Sequence, residues 1–259
     1  MSFIEIEYRE KSRPQDMAAL QSHDYYEIYC LLEGQRTIFF EGRMINLPKG
    51  SVSVIPPFCM HKTEGGAYKR INIYISADLL DQSEKQLLSE LGAEASVTLL
   101  GERGELFWSL LLASGKDKGR ERVALPIVKT LLFLLRGAER RAVEAISLSQ
   151  TENDGNSSIM QIIDYINSHL DQNISLEHIS TRFFVSKNTL CKRFRSVMNC
   201  SLLEYTSGAR LSAAKNLLLT TSMSMEEIAE RCGYSSANYF GVAFKKQVGL
   251  SPMNYRKKK

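Results

Sequence analysis

The sequence has no apolar run approaching the roughly 20 residues that a bilayer-spanning helix needs, so a transmembrane segment and a membrane partner are not expected. Its start, MSFIEIEYREKSRPQ, lacks the apolar core and cleavage site of a secretory signal. Cysteine is scarce and odd in number: Cys30, Cys59, Cys191, Cys200 and Cys232, with no CxxC pair. That argues against a disulfide framework and predicts reduced thiols in a cytoplasm. A large charge of one sign is absent too, the net being +4. What is present is ordinary globular composition, 44% hydrophobic and 24% charged. The 259 residues suit two domains.

The modest net charge hides an asymmetry. Residues 157–259 hold 14 Lys and Arg against 7 Asp and Glu, whereas residues 1–156 hold 19 against 22. A basic C-terminal part and a slightly acidic N-terminal part suggest that only the former meets a polyanion. Between them Ser147–Ser158 (SLSQTENDGNSS) is polar, contains Gly and has no apolar periodicity, which is linker chemistry. The predicted domains are therefore 1–146 and 159–259, joined by a linker over 147–158.

The C-terminal part contains a repeat. SLEHIS from Ser175 and SMEEIA from Ser224 each place a Ser at a helix N-cap with acidic residues in the first turn. A tight turn follows in each, and thereafter Ser186, Leu190, Phe194, Ser201 and Tyr205 align with Ser236, Phe240, Phe244, Ser251 and Tyr255. A short helix, a tight turn and a second basic amphipathic helix make a helix-turn-helix. The apolar stripes Leu190, Phe194, Met198 and Phe240, Phe244, Val248 read as core. The opposite face carries Lys187, Asn188, Lys192, Arg193 and Arg195 in the first copy, and Ser236, Ala237, Asn238, Lys245 and Lys246 in the second. Asn on a helix in the major groove bonds adenine bidentately, and Lys reaches guanine acceptors. Flanking Lys and Arg hold phosphates. Between the copies Leu202–Thr220 reads as one helix of about 28 Å, near the roughly 34 Å turn of B-DNA, so both recognition helices would enter successive major grooves.

Arg210, Ala214, Leu218, Ile228, Ala229, Gly233, Tyr234, Tyr239, Phe240, Phe244, Lys245, Gly249, Ser251, Pro252, Tyr255 and Arg256 stand in one register. In that register the stretch from Ile159 to Lys258 resembles the AraC/XylS family of bacterial transcription regulators. The resemblance implies a seven-helix domain with two helix-turn-helix units. It carries the base-reading positions onto Asn188, Cys191 and Lys192 in the first unit, and onto Ala237, Asn238 and Val242 in the second. Two departures stand out: Gly241 and Val242 replace a polar residue followed by Arg, and Cys191 replaces a polar residue. The first unit is therefore expected to supply more of the sequence readout, with Lys245, Lys246 and Arg256 of the second anchoring phosphates.

Residues 23–75 read as short alternating strands: 23–34, 35–42, 43–50, 51–57 and 69–76, punctuated by Gly34, Gly42, Gly50, Pro48, Pro56 and Pro57. That pattern predicts an all-β antiparallel barrel or jelly roll. Its order of motifs resembles the cupin-like sensor barrel of AraC-type regulators, which implies a small-molecule effector. The candidate effector-binding groups are His23, Glu27, Tyr29, Arg36 and His61, with Phe39 and Phe58 as apolar walls. His23, Glu27 and His61 match three of the four metal-ligand positions of a cupin, but Tyr25 stands where the second His belongs. The resemblance implies sensor barrels that bind without metal, so no cofactor is expected, and no enzymatic activity. Residues 78–146 turn helical, with candidates at Leu79–Leu91, Glu102–Ala113 and Val123–Ala145. The run Leu131–Leu135 predicts a buried or partnered face, and the resemblance implies a homodimer through these helices.

The expected protein is a two-domain cytoplasmic regulator, an activator by the family's commoner mode. Its partners would be double-stranded DNA, a small-molecule effector and RNA polymerase. Two rival readings are a cupin metalloenzyme fused to a DNA-binding module and a regulator controlled by a partner protein in place of an effector.

Overall fold

A computed structural model of the chain describes residues 2–14, 17, 20–40, 43–115, 124–143 and 155–257. It divides into two compact units: Met1–Met17, Tyr25–Pro57 and His61–Ser147 form one, and Ala18–Asp24, Phe58–Met60 and Leu148–Lys259 the other. Among the described residues no helix is long and apolar enough to cross a membrane.

The first unit is one antiparallel sheet backed by helices. Its strands are β1 (Ile4–Lys11), β2 (Tyr25–Phe40), β3 (Arg43–Leu47), β4 (Ser51–Ile55), β5 (His61–Ser76), β6 (Val97–Leu100) and β7 (Glu139–Ala142). They run in the order β1-β5-β2-β4-β6-β7, with β3 paired to β2 off that path. Ile28, Cys30, Val52, Val54, Ile71, Ile73 and Ile75 alternate along three neighbouring strands and share one face. That face packs on α1 (Gln82–Glu94), α2 (Gly101–Gly115) and α3 (Ala124–Gly137) through Leu88, Leu91, Phe107, Leu111, Val128 and Leu132. The Leu131–Leu135 run is thus largely core, as its periodicity required, and Phe133 alone of the run faces solvent, at 64% exposure.

Three readings of this unit need correction. The strands expected at 23–34 and 35–42 are one 16-residue strand, and β5 likewise begins at His61 rather than Lys69. Gly34 makes no turn; at φ +91° it sits in a bulge, where an added Cβ would meet the Ala67 carbonyl oxygen at 2.2 Å. The helix expected over Val123–Ala145 stops at Gly137, because Glu139–Ala142 pairs with Val97–Leu100 as a strand. Four-residue edge strands carry too little periodicity to be seen in sequence.

The second unit contains seven α-helices among the described residues: α4 (Gly155–Ser168), α5 (Leu176–Arg182), α6 (Lys187–Met198), α7 (Leu202–Thr220), α8 (Met225–Arg231), α9 (Ala237–Val248) and α10 (Pro252–Arg256). Residues 155–158, expected in the linker, lie within α4; residues 147–154 of that expectation lie outside the described residues. The repeat is built on serine caps. Ser175, Ser186 and Ser201 start α5, α6 and α7, and Ser224, Ser236 and Ser251 start α8, α9 and α10, each accepting from a backbone N–H three residues on. Glu204 and Glu227 close capping boxes, and hydrogen bonds from Ser201 and Ser224 hold both carboxyls below the usual carboxylate range. Each unit also repeats an aromatic clasp: Tyr205 meets Phe194 edge-on at 5.8 Å, and Tyr255 meets Phe244 edge-on at 5.4 Å. Helix α7 packs on α6 of the first repeat and on α8 and α10 of the second, which ties the two together.

Candidate functional site

Each recognition helix buries one stripe and exposes the other. On α6, Leu190, Phe194 and Met198 are buried, while Lys187, Asn188, Cys191, Lys192, Arg193 and Arg195 are exposed. On α9, Phe240 and Phe244 are buried, while Asn238, Val242, Lys245 and Lys246 are exposed. The exposed face of each helix thus carries an Asn one turn before its central residue and a cation near its C-terminal end. Lys187 pairs with Glu177 at 3.2 Å, an exposed contact of little energetic weight.

Three expected DNA contacts look different in place. The Ser236 hydroxyl is the N-cap of α9 and accepts from the Tyr239 N–H at 3.1 Å. Ala237 is half-buried against the core formed by Ala214, Leu218, Ile228, Phe240 and Phe244. Arg256 is half-buried, and its guanidinium donates to the Met223 carbonyl at 2.5 Å. It clamps α10 to the chain just before α8, whereas Lys245 and Lys246 are both exposed.

In the sheet unit, the face away from the helices is polar and buried. The register aligns Ser53, Tyr29, Asn72 and Glu7 in one cross-strand row, with Ile55, Glu27 and Tyr74 in the next row and Leu31 and Arg70 on the other side. Glu27 accepts a hydrogen bond from Asn72, stands 3.8 Å from the Arg70 guanidinium and lies 3.4 Å from His61 Nε2. Asn72 also donates to the Tyr74 hydroxyl at 2.9 Å, and Tyr74 donates to Glu7 at 3.1 Å. The Arg70 guanidinium lies 5.0 Å over the Tyr29 ring. Burial pushes the Tyr29 hydroxyl above its ordinary pKa, an effect that Arg70 and Arg36 partly offset. Arg36 donates to the Gly65 carbonyl at 2.8 Å, and its guanidinium lies 4.6 Å over the Tyr68 ring.

Of the five candidate effector residues, Glu27, Tyr29, Arg36 and His61 are buried and His23 is half-buried. Phe39 is buried on the face opposite Arg36 and Ile38, because neighbours on a strand alternate; Phe40 is the aromatic that shares their side. Phe58 stands at a turn with φ +63°. Sequence reasoning missed Arg70, Asn72, Tyr74, Ser51 and Ser53. Their signal was legible: polar residues alternate with Ile71, Ile73 and Ile75 and with Val52 and Val54, a pattern ordinarily read as a solvent face. Among the described residues, Ser51 Oγ, Ser53 Oγ, Arg70 Nε and Asn72 Oδ1 are buried without a hydrogen-bond partner. Such atoms each cost about 1–3 kcal/mol unless a ligand or water meets them.

Of the three cupin-type ligand positions, Glu27 and His61 belong to the sheet unit, whereas His23 belongs to the helical one. The Glu27–His61 pair does not fit a divalent ion well, since Glu27 already accepts from Asn72 and Arg70 sets a permanent positive charge beside the same carboxylate. A separate cleft of about 430 Å³ is lined by Tyr8, Leu32, Lys69, Trp108 and Leu112 among others, and none of the five candidate residues lines it.

Residues 3–135 match the family model of the AraC-like ligand binding domain, and residues 179–258 match that of a helix-turn-helix domain. The chain belongs to the AraC/XylS family. It is 28% identical over 136 residues to the xylose operon regulatory protein of Escherichia coli K12, covering 52% of this chain and 33% of that one. It therefore spans about a third of that relative's length. The transcriptional activator RhaR of Enterobacter sp. strain 638 is 21% identical over 260 residues, covering 94% of this chain and 88% of RhaR. The DNA-binding domain of AdpA, crystallised with a target DNA, is 30% identical and covers 39% of this chain and 91% of that domain, with a TM-score of 0.38. As a member of this family the chain pairs a cupin-like sheet domain with a helical helix-turn-helix domain.

Proposed function

We propose that the chain is a cytoplasmic, sequence-specific DNA-binding transcriptional regulator, acting as an activator through RNA polymerase and controlled by a small molecule bound in the sheet unit. One observation carries the DNA half: two serine-capped helices, 50 residues apart, present the same outward layout of an Asn about two turns ahead of a cation-bearing end. A solvated face has no reason to repeat that layout. The effector half is supported by the buried polar face around Glu27, Arg70 and Asn72 with its unpartnered atoms, and the activator reading by the name of its relative RhaR. A homodimer is supported by the solvent side of α2 and α3, where Leu106 and Phe133 are 57% and 64% exposed and Arg103 lies 5.7 Å over the Phe133 ring. Small molecules binding the sheet unit are expected to raise its unfolding temperature and to shift DNA affinity by the reciprocal factor.

Titrating duplex DNA with the full chain at several salt concentrations tests this reading. Lys245→Ala and Lys246→Ala are each expected to weaken binding to every sequence alike. Each should also flatten the slope of log K against log salt by about 0.9 for every phosphate no longer neutralised. Asn188→Ala and Lys192→Ala are each expected to cost about 1–3 kcal/mol on a specific site and little on random DNA. A chain whose DNA binding ignores all four substitutions is not held by these helices.

A further inference from the structure

We infer that Val242 reads the C5-methyl group of a thymine, so that the second recognition helix recognises an A·T-rich sub-site while the first recognises one containing guanine. The inference rests on the proposed entry of α9 into the major groove. At about 100° per residue, the position opposite the Phe240–Phe244 stripe of α9 is Val242, and the position opposite the Leu190–Phe194 stripe of α6 is Lys192. Asn238 and Asn188 occupy the same place one turn earlier, and Lys245 and Arg195 the same place almost one turn later. Along that line of three positions the two helices therefore show DNA an Asn and a cation in common and differ at the centre, Lys in one and Val in the other.

Val242 is 62% exposed. A β-branched apolar residue at the centre of an exposed helix face gains nothing from packing and lowers helix propensity. Thymine's methyl is the apolar group that the major groove offers, and its other base edges carry donors and acceptors that Val cannot satisfy. Gly241 supplies a second observation. It stands inside the helix, where glycine is unfavourable, and a Cβ there would meet nothing within 4 Å. Nothing in the folded unit requires a glycine, whereas a short Val requires closer approach to the groove floor than a long Lys. The matching position on α6 carries Cys191.

The test starts by selecting binding sites for the full-length chain from a random-core duplex pool. The adenine that loses discrimination in Asn238→Ala marks the second sub-site. Each thymine of the recovered site is then replaced singly by deoxyuridine, which removes only the methyl. One thymine beside that adenine is expected to lose about fourfold in affinity, the effect of burying one methyl-sized group. Val242→Ala should abolish the difference between thymine and uracil there, and Val242→Lys should move the preference towards guanine. No loss at any thymine of that sub-site, or a loss that persists in Val242→Ala, overturns the inference. Val242→Glu separates the two levels: if it abolishes binding while deoxyuridine is silent, α9 lies in the groove but does not read methyls. If neither matters, or no site is recovered, the proposed entry of α9 fails as well.

Discussion

Glu27→Ala is expected to destabilise the sheet unit by about 3–5 kcal/mol, the usual cost of leaving a buried charge without its partner. The Glu27 side chain is 8% exposed and the Arg70 side chain 11%, so water cannot replace what the substitution removes. Arg70 keeps one other carboxylate, Glu7, at 3.8 Å, and Asn72 loses the carboxylate that takes its amide hydrogen. Glu27→Gln retains an acceptor for Asn72 and should cost less. Denaturant unfolding followed by tryptophan fluorescence measures this unit selectively, because Trp108, the single tryptophan, lies beside its core. A loss below about 1 kcal/mol would place Glu27 on the protein's surface energetically and detach it from the polar face.

The second large effect lies at the turn of the second helix-turn-helix. Gly233→Ala is expected to cost the helical unit about 2–4 kcal/mol. Left-handed backbone costs a residue with a Cβ about 1–2 kcal/mol, and Gly233 has φ +70°. The added Cβ would also stand 2.0 Å from the Leu170 carbonyl oxygen, which Arg210 Nε holds at 3.0 Å, so the backbone there must move and that hydrogen bond goes with it. The matching residue of the first repeat is Phe184, with φ +53° and 96% exposure. Its side chain contributes almost no packing, so Phe184→Gly should be neutral or stabilising by up to about 1 kcal/mol. Helical circular dichroism on melting both variants reads the contrast. A loss near zero in Gly233→Ala would mean that the turn tolerates a side chain in both repeats and that the Leu170 carbonyl is not close.

The two halves of the chain differed in how much their sequence disclosed. Helix α7 was expected at Leu202–Thr220 and is found there, and the caps at Ser175 and Ser224 were read as found. Those features rest on residues three or four apart, so a linear reading contains all the partners. The orientation of each recognition helix followed too, since burying Leu190 and Phe194, or Phe240 and Phe244, leaves only one face outward. Arg256 shows where that stops. Its charge and position suited a phosphate contact, but its partner is the Met223 carbonyl, 33 residues away in sequence.

In the sheet unit, the hydrophobic set of the helix-packed face and the presence of several strands were decided by alternation alone, because side chains on a strand must point to opposite sides. Which polar residues meet on the other face was decided by register. Asn72 reaches Glu27 across 45 residues, and Tyr74 reaches Glu7 across 67, by pairings that no local pattern contains. Alternation could place Ser51 with Ser53, and Arg70 with Asn72 and Tyr74, only within their own strands. That the other face is buried depended on the long strands β2 and β5 continuing past Gly34 and Gly65, the stretch that carries Arg36, Thr63 and His61. The sequence by itself determined the repeat, its capped helices and the two-domain plan, since each is written in near neighbours. The polar face of the sheet unit and the constraint at Gly233 were decided only by tertiary structure, because each depends on atoms that meet across tens of residues of chain.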